Sequence, residues 1–235
     1  MNIKKKDIYV LVCARSGSKG IKNKNIKKIG KLSLLENTIL QARKLRQIKS
    51  VFVSTDSKKY GIIAENAGAI VPFLRPKYLS GDKISEWKVW KHFIKKMNLK
   101  KNDIIIVLPT TSPFRKIEDI LKGIRLYNKR EFDVVIAVNE SSRNPYYNML
   151  EKKKNVFNLV KKQKKFFYRR QDVPKVYDVT TFFYIFNTNF LKQKKNLHDG
   201  KIGAIVVPKA RSIDIDTKLD LMFARYLKKL PISGI

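Results

Sequence analysis

Ile8-Tyr9-Val10-Leu11-Val12-Cys13-Ala14-Arg15-Ser16-Gly17-Ser18-Lys19-Gly20 is an apolar run that turns abruptly into a basic loop carrying two glycines. An apolar run this short with no polar alternation reads as a strand buried on both faces, the habit of parallel sheets with helices on each side. The loop that follows lies at the strand's carboxyl end, where open α/β sheets bind their ligands. Outward from this point, Ser33-Leu34-Leu35-Glu36 forms a capping box and predicts a helix over 34–45. A strand over 51–54 follows, then a helix capped by Ser57 and stopped by Gly68. Further strands are expected over 69–73, 103–108 and 133–138, with helices over 85–97 and 116–128 between them. The 103–108 segment is the most hydrophobic and belongs at the centre of the sheet. Strand and helix thus alternate, which predicts an α/β, Rossmann-like open and mostly parallel sheet with helices on both faces.

The alternation stops near residue 140. Residues 141–165 are polar and basic with Tyr146, Tyr147 and Phe157 interspersed, and short antiparallel strands or an extended arm fit them better than a helical layer. Strands over 180–186 and 202–207 and a last helix from about Asp216-Thr217 to Leu230 complete the chain. The expectation is one domain over 1–235 with an inserted arm at about 140–175.

Composition narrows the function classes. The chain has 235 residues, 52 Lys plus Arg against 19 Asp plus Glu, and a formal net charge of +33. That charge makes a nucleic-acid-binding protein the first alternative to an enzyme. With 40 Lys against 12 Arg, spread along the whole chain and accompanied by many Asn and Ile, A/T-rich codon usage accounts for the same excess. No RRM, KH or zinc-finger signature accompanies it. One cysteine, Cys13, excludes an internal disulfide, and two histidines, His92 and His198, exclude a histidine-rich metal centre. No apolar run approaches the roughly 20 residues of a membrane span. Lys4–Lys6 before the apolar run faintly resemble a signal peptide, but a buried first strand explains them better, and a cytoplasmic protein is expected.

Three constellations carry chemistry. In the first loop, Arg15, Lys19 and Lys24 surround glycine backbone that can cradle an anion, although neither GxGxxG nor a Walker loop is present. Asp214-Ile215-Asp216 follows a strand. In extended chain its two carboxylates point to one side and can hold Mg²⁺ together with substrate phosphate; the competing reading is that Asp216 only caps the last helix. Thr110-Thr111-Ser112-Pro113-Phe114-Arg115 places hydroxyls at the end of the central strand. Arg75-Pro76 and Ser80-Gly81-Asp82 end another βα segment, with Arg75 a candidate contact to a base or phosphate, and Arg169-Arg170-Gln171-Asp172 adds a candidate carboxylate clamp.

Ala14-Arg15-x-x-Ser18-Lys19-Gly20 with Lys24-Asn25, then Ser54-Thr55-Asp56, Arg75-Pro76, Thr111-Ser112-Pro113-Phe114-Arg115, Arg169-Arg170-Gln171-Asp172 and Asp214-Ile215-Asp216, resembles in order the acylneuraminate cytidylyltransferase family, over about residues 7–225. The resemblance implies transfer of CMP from CTP to the anomeric hydroxyl of a nonulosonic sugar acid, with release of pyrophosphate, for surface glycans such as lipopolysaccharide. It implies that Ala14, Arg15, Ser18, Lys19, Gly20, Lys24 and Asn25 form the nucleotide site and that Arg75 lies against the cytosine. It further implies Thr111, Ser112, Arg170 and Gln171 at the sugar-acid end, Asp214 and Asp216 on Mg²⁺, Lys19 with the acid pair as catalytic groups, and a homodimer made by the arm. Two departures touch the acceptor side. Pro109-Thr110 stands where the family often has Gln before Pro-Thr-Ser-Pro, and Val179–Tyr184 replaces Asn-Gly-Ala-x-Tyr. Sialic acid, legionaminate, pseudaminate and other sugar acids therefore all remain candidate acceptors.

Overall fold

The computed structural model describes residues 6–162, 167 and 169–230. In chain order the strands and helices are β1 (Ile8–Cys13), β2 (Lys28–Ile29), β3 (Leu32–Ser33), α1 (Leu34–Arg43), β4 (Ser50–Ser54), α2 (Lys58–Asn66), α3 (Glu86–Lys96), β5 (Ile104–Val107), α4 (Ile117–Asn128), β6 (Val134–Glu140), β7 (Leu150–Lys153), β8 (Val156–Leu159), β9 (Tyr177–Asn187), α5 (Thr188–Gln193), β10 (Ile202–Val206) and α6 (Lys218–Lys229). The main sheet has the order β10-β6-β9-β5-β1-β4. β1 runs parallel to β4 and β5, and β10 runs parallel to β6. β9 lies antiparallel between β5 and β6 and is the sheet's one reversed strand.

The apolar run that opens the chain is buried from Tyr9 to Val12, as a strand covered on both faces must be. On one face Val10, Val12, Ile106 and Ile185 pack under α1, α2 and α4 through Leu35, Ile39, Tyr60, Ile120 and Ile124. On the other, Leu11, Ile105 and Ile136 pack under α3 and α5 through Trp90, Phe93 and Phe190. A third, smaller cluster joins α6 to the first loop and the β2–β3 hairpin through Ile21, Ile29, Ile215, Leu221 and Ala224. The Ser33 capping box is formed, with Glu36 N–H donating to the Ser33 hydroxyl at 3.2 Å and Ser33 N–H to the Glu36 carboxylate at 2.8 Å.

The strand expected over 69–73 is reduced to two isolated bridges, Phe52 with Ile70 and Thr55 with Leu74. Pro72 lies between them and has no N–H to give a ladder. Between β6 and β9 the chain forms the β7–β8 hairpin, as the composition of the basic segment suggests.

Candidate active site

The carboxyl ends of β1 and β5 open into a cleft of about 510 Å³. β9 runs the other way, so its early residues reach the same edge and bring Thr181 into the wall. The segment after β10 is fastened to the loop after β5 by the Ile215 N–H, which donates to the Thr111 carbonyl at 3.0 Å. This bond carries Asp214 and Asp216 to the cleft across from the first loop.

The first loop is held by groups outside it. Asp56, just beyond β4, accepts from both the N–H and the hydroxyl of Ser16, at 2.8 and 2.9 Å. Ala14 is buried and donates its N–H to the Ser54 carbonyl at 3.0 Å, so it sets the loop's take-off and does not line the cleft. Arg15, Ser18, Lys19, Gly20 and Lys24 do line it. Gly20 is required by proximity: a Cβ there would lie 2.4 Å from the Asp216 carbonyl oxygen. The anion loop and the acid pair thus touch through backbone, and only glycine permits it. Lys24 closes the same contact with a 2.8 Å ion pair to Asp216.

Asp214 and Asp216 differ. Asp216 is mostly exposed, and its N–H donates to Asp220 at 3.1 Å beside the capping box of α6. Asp214 is recessed, and its Oδ1 is buried without a hydrogen-bond partner. Burial raises its pKa above the usual aspartate value, and the charge of Asp216 raises it further, opposed by the hydroxyls of Thr111 and Thr181 and by Lys24. A buried carboxylate oxygen without a partner, beside a second carboxylate, fits a hard cation. Among the described residues no group of three His, Cys, Asp or Glu forms, so such a cation would take the rest of its shell from water or from a bound phosphate.

Several expected site residues make their hydrogen bonds within the fold. Arg75 is buried against the end of β4, donating to the Ser54 hydroxyl at 3.1 Å and the Ser54 carbonyl at 2.5 Å, and it does not line the cleft. Ser112 is fully buried behind the wall, where its hydroxyl bonds the carbonyl and hydroxyl of Thr181; Thr111 lines the cleft itself. Asn25 lines the cleft, but its amide donates to the Arg15 carbonyl at 2.9 Å and its oxygen accepts from Thr110 at 2.5 Å, so it ties the first loop to the end of β5. Gln171 lines a separate depression with Glu140, Asn144 and Pro174. The Arg170 side chain lies outside the described residues.

Three cleft residues were not singled out as ligands from the sequence. Asp82 bridges Arg15 at 2.7 Å and Lys19 at 2.9 Å, and these two cations hold its carboxyl below the usual range, the hydrogen bond from Lys19 contributing most. Ser80-Gly81-Asp82 stands out in the sequence as the end of a βα segment, which is the signal that could have found it. Glu86, the first residue of α3, also lines the cleft. Thr181 arrives through the reversed strand, whose direction no local pattern reveals.

The cleft therefore brings three cations, Arg15, Lys19 and Lys24, together with four carboxylates, Asp82, Glu86, Asp214 and Asp216. Residues 9–229 match the cytidylyltransferase family. The chain is 32% identical to the post-translational flagellin modification protein B of Campylobacter coli, over 95% of each chain. It is 31% identical to the CMP-N,N'-diacetyllegionaminic acid synthase of Campylobacter jejuni subsp. jejuni, over 95% of this chain and 96% of that one. Among solved structures, CMP:2-keto-3-deoxy-manno-octonic acid synthetase complexed with CTP superposes with a TM-score of 0.69 at 13% identity, covering 94% of this chain and 98% of that one, a likeness of fold.

Proposed function

Since this chain belongs to the cytidylyltransferase family, we propose that it transfers CMP from CTP to the anomeric hydroxyl of a nonulosonic sugar acid and releases pyrophosphate. The observation that carries this reading is the facing of Arg15, Lys19 and Lys24 by Asp214 and Asp216 across one cleft, with the Asp214 Oδ1 left without a partner. The name of the Campylobacter jejuni relative supports an acceptor of the legionaminic type. We place the reaction in the cytoplasm, where a nucleoside triphosphate donor is available; no helix of the described residues is long and apolar enough to cross a membrane.

The acceptor hydroxyl oxygen bonds to the α-phosphorus as the bond to the pyrophosphate oxygen breaks, and the hydroxyl proton must leave. Such a displacement needs positioning and charge neutralisation more than a protein nucleophile. Arg15, Lys19 and Lys24 bind the triphosphate and stabilise the charge that builds on the leaving pyrophosphate. Asp214 and Asp216 would hold Mg²⁺, which when bound supplies neutralising charge at the phosphoryl oxygens. Glu86, the cleft carboxylate neither assigned to the metal nor paired with Arg15 and Lys19, is the group suited to take the acceptor's proton. Thr111 and Thr181 offer hydroxyls at the wall, where an acceptor can be oriented. Gln171 lines a separate depression and not that wall, so the homodimer is proposed to meet through the β7–β8 hairpin. There Leu150, Val156 and Phe157 are about 60% exposed, which supports an apolar contact.

The test is pyrophosphate release with CTP and Mg²⁺ against N-acetylneuraminate, legionaminate, pseudaminate and deoxy-octulosonate, with each product weighed as its CMP-sugar. Turnover with a nonulosonic acid is expected. No turnover together with no protection of the fold by CTP against heat would overturn the reading.

A further inference from the structure

α6 is apolar on two opposite faces. Leu221 and Ala224 are buried in the cluster that joins the helix to the first loop. Leu219, Met222, Phe223 and Tyr226, spaced i, i+3, i+4 and i+7, form a second stripe, and they are 73%, 65%, 50% and 59% exposed. At 100° per residue this stripe points away from the buried face. A surface helix ordinarily needs one apolar stripe, and four large apolar side chains on one exposed face make a patch that asks for a partner.

The charges beside the stripe are of one sign. Lys218, Arg225 and Lys229 fall along one edge of it at helical spacing. The β2–β3 hairpin adds Lys28, over which Arg225 is fixed by a 3.1 Å bond from its Nε to the Lys28 carbonyl. Lys28, Arg225, Lys228 and Lys229 together line a shallow depression beside the helix. The only acid of α6, Asp220, is occupied by the capping box with Thr217. Among the described residues, none of Lys28, Lys218, Arg225 and Lys229 forms an ion pair.

We propose that α6 seats the protein on an anionic membrane surface, its apolar stripe entering the headgroup boundary and its lysine edge meeting lipid phosphates. An apolar stripe on an outward helix with one cationic edge is the pattern of an interfacial helix, in which weak insertion and weak electrostatics act together. Charge selects this occupant. Two copies meeting through this face would set Lys28, Lys218, Arg225 and Lys229 against their counterparts with no free acid of α6 to answer them, whereas an anionic bilayer is attracted by the same cations. The proposal does not depend on the reading of the cleft.

The experiment is co-sedimentation of the full chain with vesicles of phosphatidylcholine containing about 30 mol% phosphatidylglycerol, and with pure phosphatidylcholine vesicles, at about 0.1 M and about 0.5 M NaCl. The comparison protein is Met222→Gln/Phe223→Gln, which removes apolar surface without changing charge; its melting curve and sedimentation velocity are recorded alongside. The wild type is expected to bind the anionic vesicles and to keep measurable binding at the higher salt. The variant should bind about tenfold more weakly and lose the salt-resistant part, with its melting curve unchanged. Equal binding by variant and wild type would mean that bulk charge alone is at work and would overturn the proposal. Absence of wild-type binding would do the same. A variant that changes oligomeric state while vesicle binding stays as in the wild type would make the stripe a subunit interface instead.

Discussion

Asp214 carries an electrostatic cost in the folded chain, because it is recessed and faces a second carboxylate. Its pKa is raised, so the fold binds that proton more tightly than the unfolded chain does. Below the ordinary aspartate value of 3.8 the group is protonated in both states and costs nothing. As pH rises through 3.8 and then through the raised folded value, the cost appears and becomes complete. Asp214→Asn should therefore raise the melting temperature at neutral pH, with the gain vanishing in acid below 3.8. The same variant should lower CMP transfer by about a hundredfold or more, measured as pyrophosphate release. Asp82 presents a different balance. Its carboxylate occupies Arg15 and Lys19, the cations assigned to the triphosphate. Asp82→Asn should lower the KM for CTP by about threefold with kcat little changed, a modest effect because these pairs face solvent. A rise in KM would place Asp82 among the groups that assist binding.

At the scale of elements, local chemistry was readable and pairing was not. The capping boxes at Ser33 and Thr217 and the Ser57 cap start α1, α6 and α2 where the side chains predict, because a cap is satisfied within a few residues. The strand character of β9 is equally plain in its β-branched and aromatic residues. Its antiparallel course is not, because direction is set by the partners β5 and β6, both distant in sequence. Thr181 escaped for that reason, as did the burial of Ser112, which depends on Thr181. The mutual contact of α4 and β9 yields a prediction. A Cβ on Gly123 of α4 would lie 2.5 Å from the Phe183 ring and 3.0 Å from Ile185. Alanine gains about 1 kcal/mol of helix propensity over glycine. Overpacking against a buried ring costs about 1–3 kcal/mol. Gly123→Ala should therefore be destabilising on balance, read from a denaturant midpoint that falls at constant slope.

For the whole molecule, the +33 charge remained ambiguous in the sequence, because codon usage and function leave the same count. The structure separates roles by position: three cations sit in the cleft, others edge α6, and many are spread over the remaining surface. The β7–β8 hairpin sets a prediction at this scale. Leu150→Glu/Phe157→Glu alters two side chains that are about 60% exposed, so one chain should fold as before. The wild type should sediment as a dimer and the variant as a monomer. If Gln171 reaches a partner's cleft, the variant should also lose acceptor affinity more than CTP affinity.

The reversed strand has a consequence for how the chain is made. β5 and β6 occupy the middle of the sheet, but they are not neighbours; β9 separates them and comes last of the three. As the chain emerges during synthesis, β1, β4 and β5 can pair early. β6 has no partner until β9, nearly forty residues later, pairs with it. Until then two strands with fully apolar interiors present open edges, the condition that invites pairing with another chain. A nascent chain halted before Tyr177 should therefore be aggregation-prone, and the arm, placed between β6 and β9, lengthens the interval during which those edges stand open.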